Sequence, residues 1–243
     1  MPTGIIINVL SVALGGLVGA VAGHKLSFDF KEKLNMVFGA CAMTMGIASI
    51  VLMENMPAVI FSVVVGTAVG LAIRFGDLIS MGCAKMEKLV SRILPKQNSD
   101  LSENEFRETL ITIIVLFCAS GTGIYGSIVS GMTGEQSILI SKSILDFFTA
   151  IIFACILGAV VSFIAVPQFI IFMILFFAAG VIYPLTTPAM INDFKACGGV
   201  LLLATGFRMI KVKMFPTADM IPAMVIVMPV SWFWMNFVMP LVG

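Results

Sequence analysis

The chain has 243 residues, 60% hydrophobic and only 11% charged, with a mean hydropathy of +1.11. An average globular chain is about 45–50% apolar and about 25% charged, so a soluble enzyme, a secreted disulfide scaffold and a disordered protein are excluded. A net charge of +1 gives no electrostatic basis for binding nucleic acid.

A helix needs about 20 apolar residues to cross the hydrocarbon. By that measure eight spans are predicted, at 4–24, 34–53, 56–73, 109–130, 138–165, 168–185, 195–212 and 219–241. The first has no Lys or Arg before its apolar run, so it reads as a retained transmembrane helix rather than a signal peptide. It carries Asn8, an interhelical hydrogen-bonder.

After the short third span the chain turns amphipathic. From Asp77 to Leu94, apolar residues recur at helical spacing around Lys85, Lys88 and Arg92. This predicts an interfacial helix lying on the anionic inner leaflet, ended by Pro95. Ser102 and Glu105 then form a capping box that starts the fourth span.

The fourth span carries Ser120-Gly121-Thr122-Gly123 near the bilayer middle. Two readings stand for it. The glycines pack helices closely, or they unwind the helix so that freed amides and carbonyls hold a ligand. The fifth span is long, hence tilted or interrupted. It carries Lys142, Ser143, Asp146 and Thr149, with Asp146 about 12 Å into the membrane. Lys142 and Asp146 are spaced i, i+4 and share a face. An ionisable residue at such depth is costly and marks a functional site by default; a structural ion pair, or Lys142 snorkelling outward, is the bland alternative. Between the sixth and seventh spans Thr186-Thr187-Pro188 precedes Asn192, Asp193 and Lys195 at the outer boundary. The two threonines cap a helix or form part of a gate.

Charge placement supports the count. With eight spans, the loops after odd-numbered helices hold twelve of the fourteen Lys and Arg; the other side holds only Lys142 and Lys195. Cytoplasmic loops carry the excess, so both termini lie outside. The cysteines Cys41, Cys83, Cys118, Cys155 and Cys197 are scattered, and the sole histidine is His24. They offer no metal-ligand spacing, so no metal and no cofactor is expected.

Shifting the chain by 160 residues reveals an internal repeat: Asn8 falls on Gln168, Gly39 on Gly199 and Gly46 on Gly206. With a five-residue insertion, Pro57-Ala58 falls on Pro222-Ala223. Composition alone can produce such matches. If the repeat holds, spans 1–3 match spans 6–8 in inverted orientation, an architecture of secondary transporters. The fold class is then an all-α polytopic membrane protein of 3+2+3 helices. Residues 1–75 form the first repeat, 76–107 the cytoplasmic helix and loop, 108–165 the central helices and 166–243 the second repeat.

The runs Ile114-Val-Leu-Phe-Cys-Ala-Ser-Gly-Thr-Gly-Ile124, Gly131-Met-Thr-Gly134, Ser143-Ile-Leu-Asp-Phe-Phe-Thr-Ala-Ile-Ile-Phe-Ala-Cys155, Pro184-Leu-Thr-Thr-Pro188 and Lys213-Met-Phe-Pro216 carry a resemblance. Across essentially the whole chain, the sequence resembles the YqgA/YdfK-type bacterial membrane proteins, a domain-of-unknown-function family. The resemblance implies a protein of the bacterial cytoplasmic (inner) membrane, with transport the usual suggestion, and brings no substrate or catalytic residue.

The expected function is secondary transport of a small polar solute or ion, coupled to a proton or sodium. Ser120, Gly121, Thr122, Gly123, Asn8 and Ser143 hold the solute, Asp146 binds the coupling ion, Lys142 is counter-charge or anchor, and Thr149, Thr186 and Thr187 complete the candidate set. The alternative is a non-transporting membrane scaffold or regulator. An intramembrane enzyme is disfavoured: no H-E-x-x-H is present, Ser120 lacks the preceding glycine of a rhomboid motif, and Asp146 alone is expected to lie deep. The expected partners are the solute or ion and the bilayer, with room for a homo-oligomer.

Overall fold

The computed structural model describes residues 1–22, 27–93, 103–118 and 120–242. Every regular element among them is helical. In chain order the α-helices are α1 (Thr3–Ala22), α2 (Phe28–Ile50), α3 (Met56–Ala72), α4 (Phe75–Ile93), α5 (Glu103–Cys118), α6 (Gly121–Thr133), α7 (Ser137–Leu157), α8 (Val160–Phe163), α9 (Ala165–Ile182), α10 (Pro188–Met209), α11 (Pro222–Phe233) and α12 (Met239–Val242). Six stretches among them are long and apolar enough to cross a membrane, and α3 with the start of α4, bent by 60°, makes a seventh.

The expected eighth span is the difference. α10 is long enough at 22 residues, but Asn192, Asp193 and Lys195 lie in its first two turns and it is not among the qualifying helices. It starts seven residues before the predicted 195, so these polar residues belong to the helix rather than to a boundary loop. Most of its length is buried by protein, and a helix shielded from lipid can carry polar groups that a lipid-facing one cannot. The fifth span is shorter than the expected 138–165 and is neither long nor broken: α7 stops at Leu157, and Gly158 takes φ 76°, a backbone region that glycine adopts without a Cβ penalty. The sixth apolar stretch therefore begins at Val160 rather than 168. The amphipathic helix appears as α4, reached through Arg74 at φ 54°. Its expected end at Pro95 and the Ser102 end of the capping box lie outside the described residues.

The chain forms two compact units. One comprises Met1–Asn35 and Leu78–Val181, the other Met36–Asp77 and Ile182–Gly243. In the first, α1 lies along α7 with both chains running the same way. A Cβ on Gly15 would strike the Phe147 carbonyl, and one on Gly19 the Ile151 carbonyl. Small residues let backbones approach this closely where lipid offers no hydrophobic drive to pack. α6 meets α9 in the same manner, with Gly131 against the Phe176 carbonyl. Leu110, Ile113, Phe117, Ala150, Val161 and Ile164 belong to the buried core of this unit.

In the second unit α2 and α10 cross in opposite directions through two glycine pairs. A Cβ on Gly46 would lie 2.7 Å from the Gly199 carbonyl, and one on Gly199 2.6 Å from the Gly46 carbonyl. Gly39 and Gly206 meet in the same reciprocal way, at 3.0 and 2.7 Å. α3 packs on α11, with Gly66 against the Ala223 backbone.

Candidate functional site

Helix α7 carries the charges. Lys142 and Asp146 fall one turn apart, and both residues are buried, at 4% and 6% exposure. The Lys142 Nζ lies 2.8 Å from Asp146 Oδ1 and 2.7 Å from Oδ2, so the ammonium bridges both carboxylate oxygens. Lys142 thus points to its partner instead of snorkelling out. Two unpaired charges would be prohibitively costly here; bridged, they leave the cluster neutral.

Two amides extend the pair. Asn8 of α1, with no exposure, donates through Nδ2 to Asp146 Oδ2 at 2.8 Å. Gln168 of α9, equally buried, donates through Nε2 to Asn8 Oδ1 at 2.8 Å. The same Nε2 lies 3.4 Å from the Phe117 carbonyl and 3.5 Å from Asp146 Oδ2. The Gln168 Oε1 accepts nothing, and it is the one buried side-chain nitrogen or oxygen without a partner among the described residues. Asn8 and Gln168 are the two positions related by the 160-residue offset, and they are in direct contact.

The fourth span breaks beside this cluster. α5 ends at Cys118 and α6 begins at Gly121, with Ser120 extended at φ −70°, ψ 140°. Gly123 lies inside α6 and packs closely, the first of the two readings. Ser120 precedes α6 and caps it, its Oγ accepting from the Gly123 amide at 3.2 Å. A Cβ on Gly123 would strike the Phe172 ring and lie 3.1 Å from Lys142 Cε. The absent side chain lets the lysine pass the first turn of α6, whose leading amides have no intrahelical acceptor. Thr122 is buried in the same turn.

The remaining expected residues separate. Ser143 is buried and donates to the Leu139 carbonyl, a local helix bond; Thr149 is buried on α7, three residues beyond Asp146. Thr187 caps α10 by accepting from the Met190 amide at 3.3 Å, and Thr186 donates to the Tyr183 carbonyl. Both belong to the other compact unit and have local structural roles there.

Residue-by-residue reading did not include Gln168 in the site; its only sequence signal was the match to Asn8. It also placed Asp193 at the outer boundary without a role; Asp193 sits in the second turn of α10 beside the start of α3 and is fully buried by protein. Its Oδ1 accepts from the Glu54 and Asn55 amides at 3.0 and 2.9 Å, and its Oδ2 from Asn55 Nδ2 at 2.8 Å and Ser231 Oγ at 2.6 Å. It caps the start of α3 from another helix.

Apolar helices of spanning length and a buried ion pair define a multi-pass helical membrane protein. The chain belongs to the family described as "Protein of unknown function (DUF554)", matched over residues 3–232. It is 44% identical to "Uncharacterized protein YqgA" of Escherichia coli (strain K12), over 96% of this chain and 98% of that one. It is 22% identical to "Uncharacterized membrane protein YdfK" of Bacillus subtilis (strain 168), over 92% and 93% of the two chains. No solved structure matches it.

Proposed function

We propose that this protein is a secondary transporter of a small polar solute or ion. It works by alternating access around the Lys142–Asp146 cluster beside the break between α5 and α6. The observation that carries this reading is the buried ion pair tied through Asn8 and Gln168 to a broken span, with one acceptor left open. Ionisable groups inside membrane proteins mark ion pathways and proton relays, and broken helices form the sites of many transporters. Asp146 is the coupling residue and Lys142 its counter-charge.

The contacts also support an inverted repeat. A two-fold relation that maps Gly39 to Gly199 and Gly46 to Gly206 requires that a Gly39–Gly206 contact be matched by a Gly199–Gly46 contact, and both occur. Within the first unit, Asn8 likewise touches Gln168, its equivalent under the same offset. The parallel course of α1 and α7 fits an arrangement in which both run from outside to inside, with the termini outside a bacterial cytoplasmic membrane. A cysteine placed at Gln97 is then labelled only from the cytoplasm, and one at Gly134 only from outside; labelling of both from one side overturns this topology.

Transport is tested with the full chain in proteoliposomes bathed in a defined mixture of amino acids, carboxylates and inorganic ions, under a proton or a sodium gradient. At least one solute accumulates with the wild type and not with Asp146→Asn. Lumen contents equal to those of protein-free vesicles under both gradients would contradict the reading.

A further inference from the structure

We propose that Asp146 is the proton-binding residue of this protein, and that Asn8 and Gln168 form a relay whose hydrogen bonds reverse direction when Asp146 is protonated. The inference deepens the transport reading by making the coupling ion a proton.

The donors of the cluster all point one way. Gln168 Nε2 gives to Asn8 Oδ1, and Asn8 Nδ2 gives to Asp146 Oδ2. Three acceptors around Nε2 (Asn8 Oδ1, the Phe117 carbonyl and Asp146 Oδ2) fix the orientation of the Gln168 amide. This chain suits an ionised carboxylate, which only accepts. Its far end is Gln168 Oε1, buried and without a donor. Buried acceptors in native proteins are nearly always satisfied, so an orphan at the end of a polar chain points to a second state that supplies a donor.

Protonation supplies it. One proton from water forms an O–H bond on Asp146 Oδ2 and displaces the Lys142 contact there; no electrons move, Lys142 keeps its own proton and its bond to Oδ1, and the cluster passes from neutral to a net charge of +1. Asp146 now donates to Asn8 Oδ1, and a half-turn of each amide lets Asn8 Nδ2 donate to Gln168 Oε1. Gln168 Nε2 turns to the position Oε1 leaves and releases the Phe117 carbonyl, one residue from the end of α5 at the break. That freed carbonyl links proton binding to the broken span.

The surroundings isolate the event. α1, α8 and α9, packed about Asp146, contain no titratable side chain. α7 adds Lys142 and, two turns on, Cys155; α6 offers Tyr125, and α5 offers Cys118. The other ionisable residues of α5 lie at or before Glu108, about 15 Å along the helix from Cys118. A sodium ion would have to displace an ammonium that already bridges both oxygens. A proton needs no added room in a cluster exposed by no more than 6%.

Infrared difference spectra of the full chain in lipid, recorded from about pH 9 to about pH 4, test this. The wild type gains the carbonyl band of a protonated carboxylic acid on acidification, and Asp146→Asn loses it. With side-chain carbon-13 glutamine, an amide carbonyl band moves to lower frequency at the same midpoint as Oε1 gains a donor, and that movement too is lost in Asp146→Asn. Gln168→Met shifts the acid band and lowers its midpoint by about one pH unit, a tenfold loss of proton affinity. Should that variant fail to fold, the labelled wild type decides alone. Absence of an Asp146-dependent acid band, an unmoved glutamine band, or loss of the acid band when sodium replaces choline overturns the proposal. An acid band without solute flux defeats the transport reading alone; flux without the band defeats this inference alone.

Discussion

Asp146 and Asp193 are both buried in apolar surroundings, but their partners differ in kind. Asp193 takes two of its four hydrogen bonds from backbone amides at the start of α3, with Asn55 Nδ2 and Ser231 Oγ completing its shell. Backbone donors at a helix start cannot turn away without undoing the helix end. Asp146 is held only by side chains, Lys142, Asn8 and the edge of Gln168, all of which can rotate. A carboxylate fixed by backbone is architecture, whereas one held by movable amides, with a neighbouring acceptor unfilled, can change its proton and its partners.

The largest effect that sharpens this contrast is expected at Asp193. Asp193→Ala leaves the α3 start, Asn55 and Ser231 without their acceptor. Thermal unfolding in detergent should report a loss of about 4 kcal/mol, since bonds to a buried charge are worth about 1.5–3 kcal/mol each and do not add fully. Next comes Lys142→Met, which strands Asp146 and costs about 3 kcal/mol; adding Asp146→Asn should restore most of it, because the loss is that of an unpaired charge. Wild-type stability for Asp193→Ala beside a double variant no more stable than Lys142→Met would reverse the two roles.

A third aspartate gives an intermediate case. Asp219, half-buried, accepts from the Gly76 amide in the first turn of α4 at 2.7 Å. Asp219→Ala should cost about 1 kcal/mol, the worth of an ordinary helix cap. The smallest pair is Ser120→Ala and Thr187→Ala. Each removes a cap worth about 1 kcal/mol, so melting should fall equally. Flux should fall only in Ser120→Ala, at the broken span; an equal loss of flux in both would detach the break from the site.

The sequence made the Lys142–Asp146 pairing readable because i, i+4 spacing is local. The polar stretch at Ser120 and the amphipathic α4 were also legible from glycine placement and apolar period, whereas the end of α7 at Leu157 was not, because one apolar run continues across the boundary of two spans. The burial of Asp193 was not. Charged residues near a predicted span end look like boundary residues, and only tertiary packing around α10 turns that position into an interior one. The same packing explains why α10 falls short of an apolar span by composition, since a protein-shielded helix carries a weaker hydropathy signal than a lipid-facing one. The place of Gln168 depended on a contact across 160 positions, which no local rule supplies.

Transport by the Lys142→Met/Asp146→Asn double variant tests the central claim most directly. Neutralising both partners together removes the buried charges without stranding either, so folding and insertion should persist, as read by a single sharp melting transition and a monodisperse elution profile. The account predicts that this folded protein moves no solute in the proteoliposome assay in which the wild type does. A stable double variant with wild-type flux would show that the ion pair is a brace and would contradict the account.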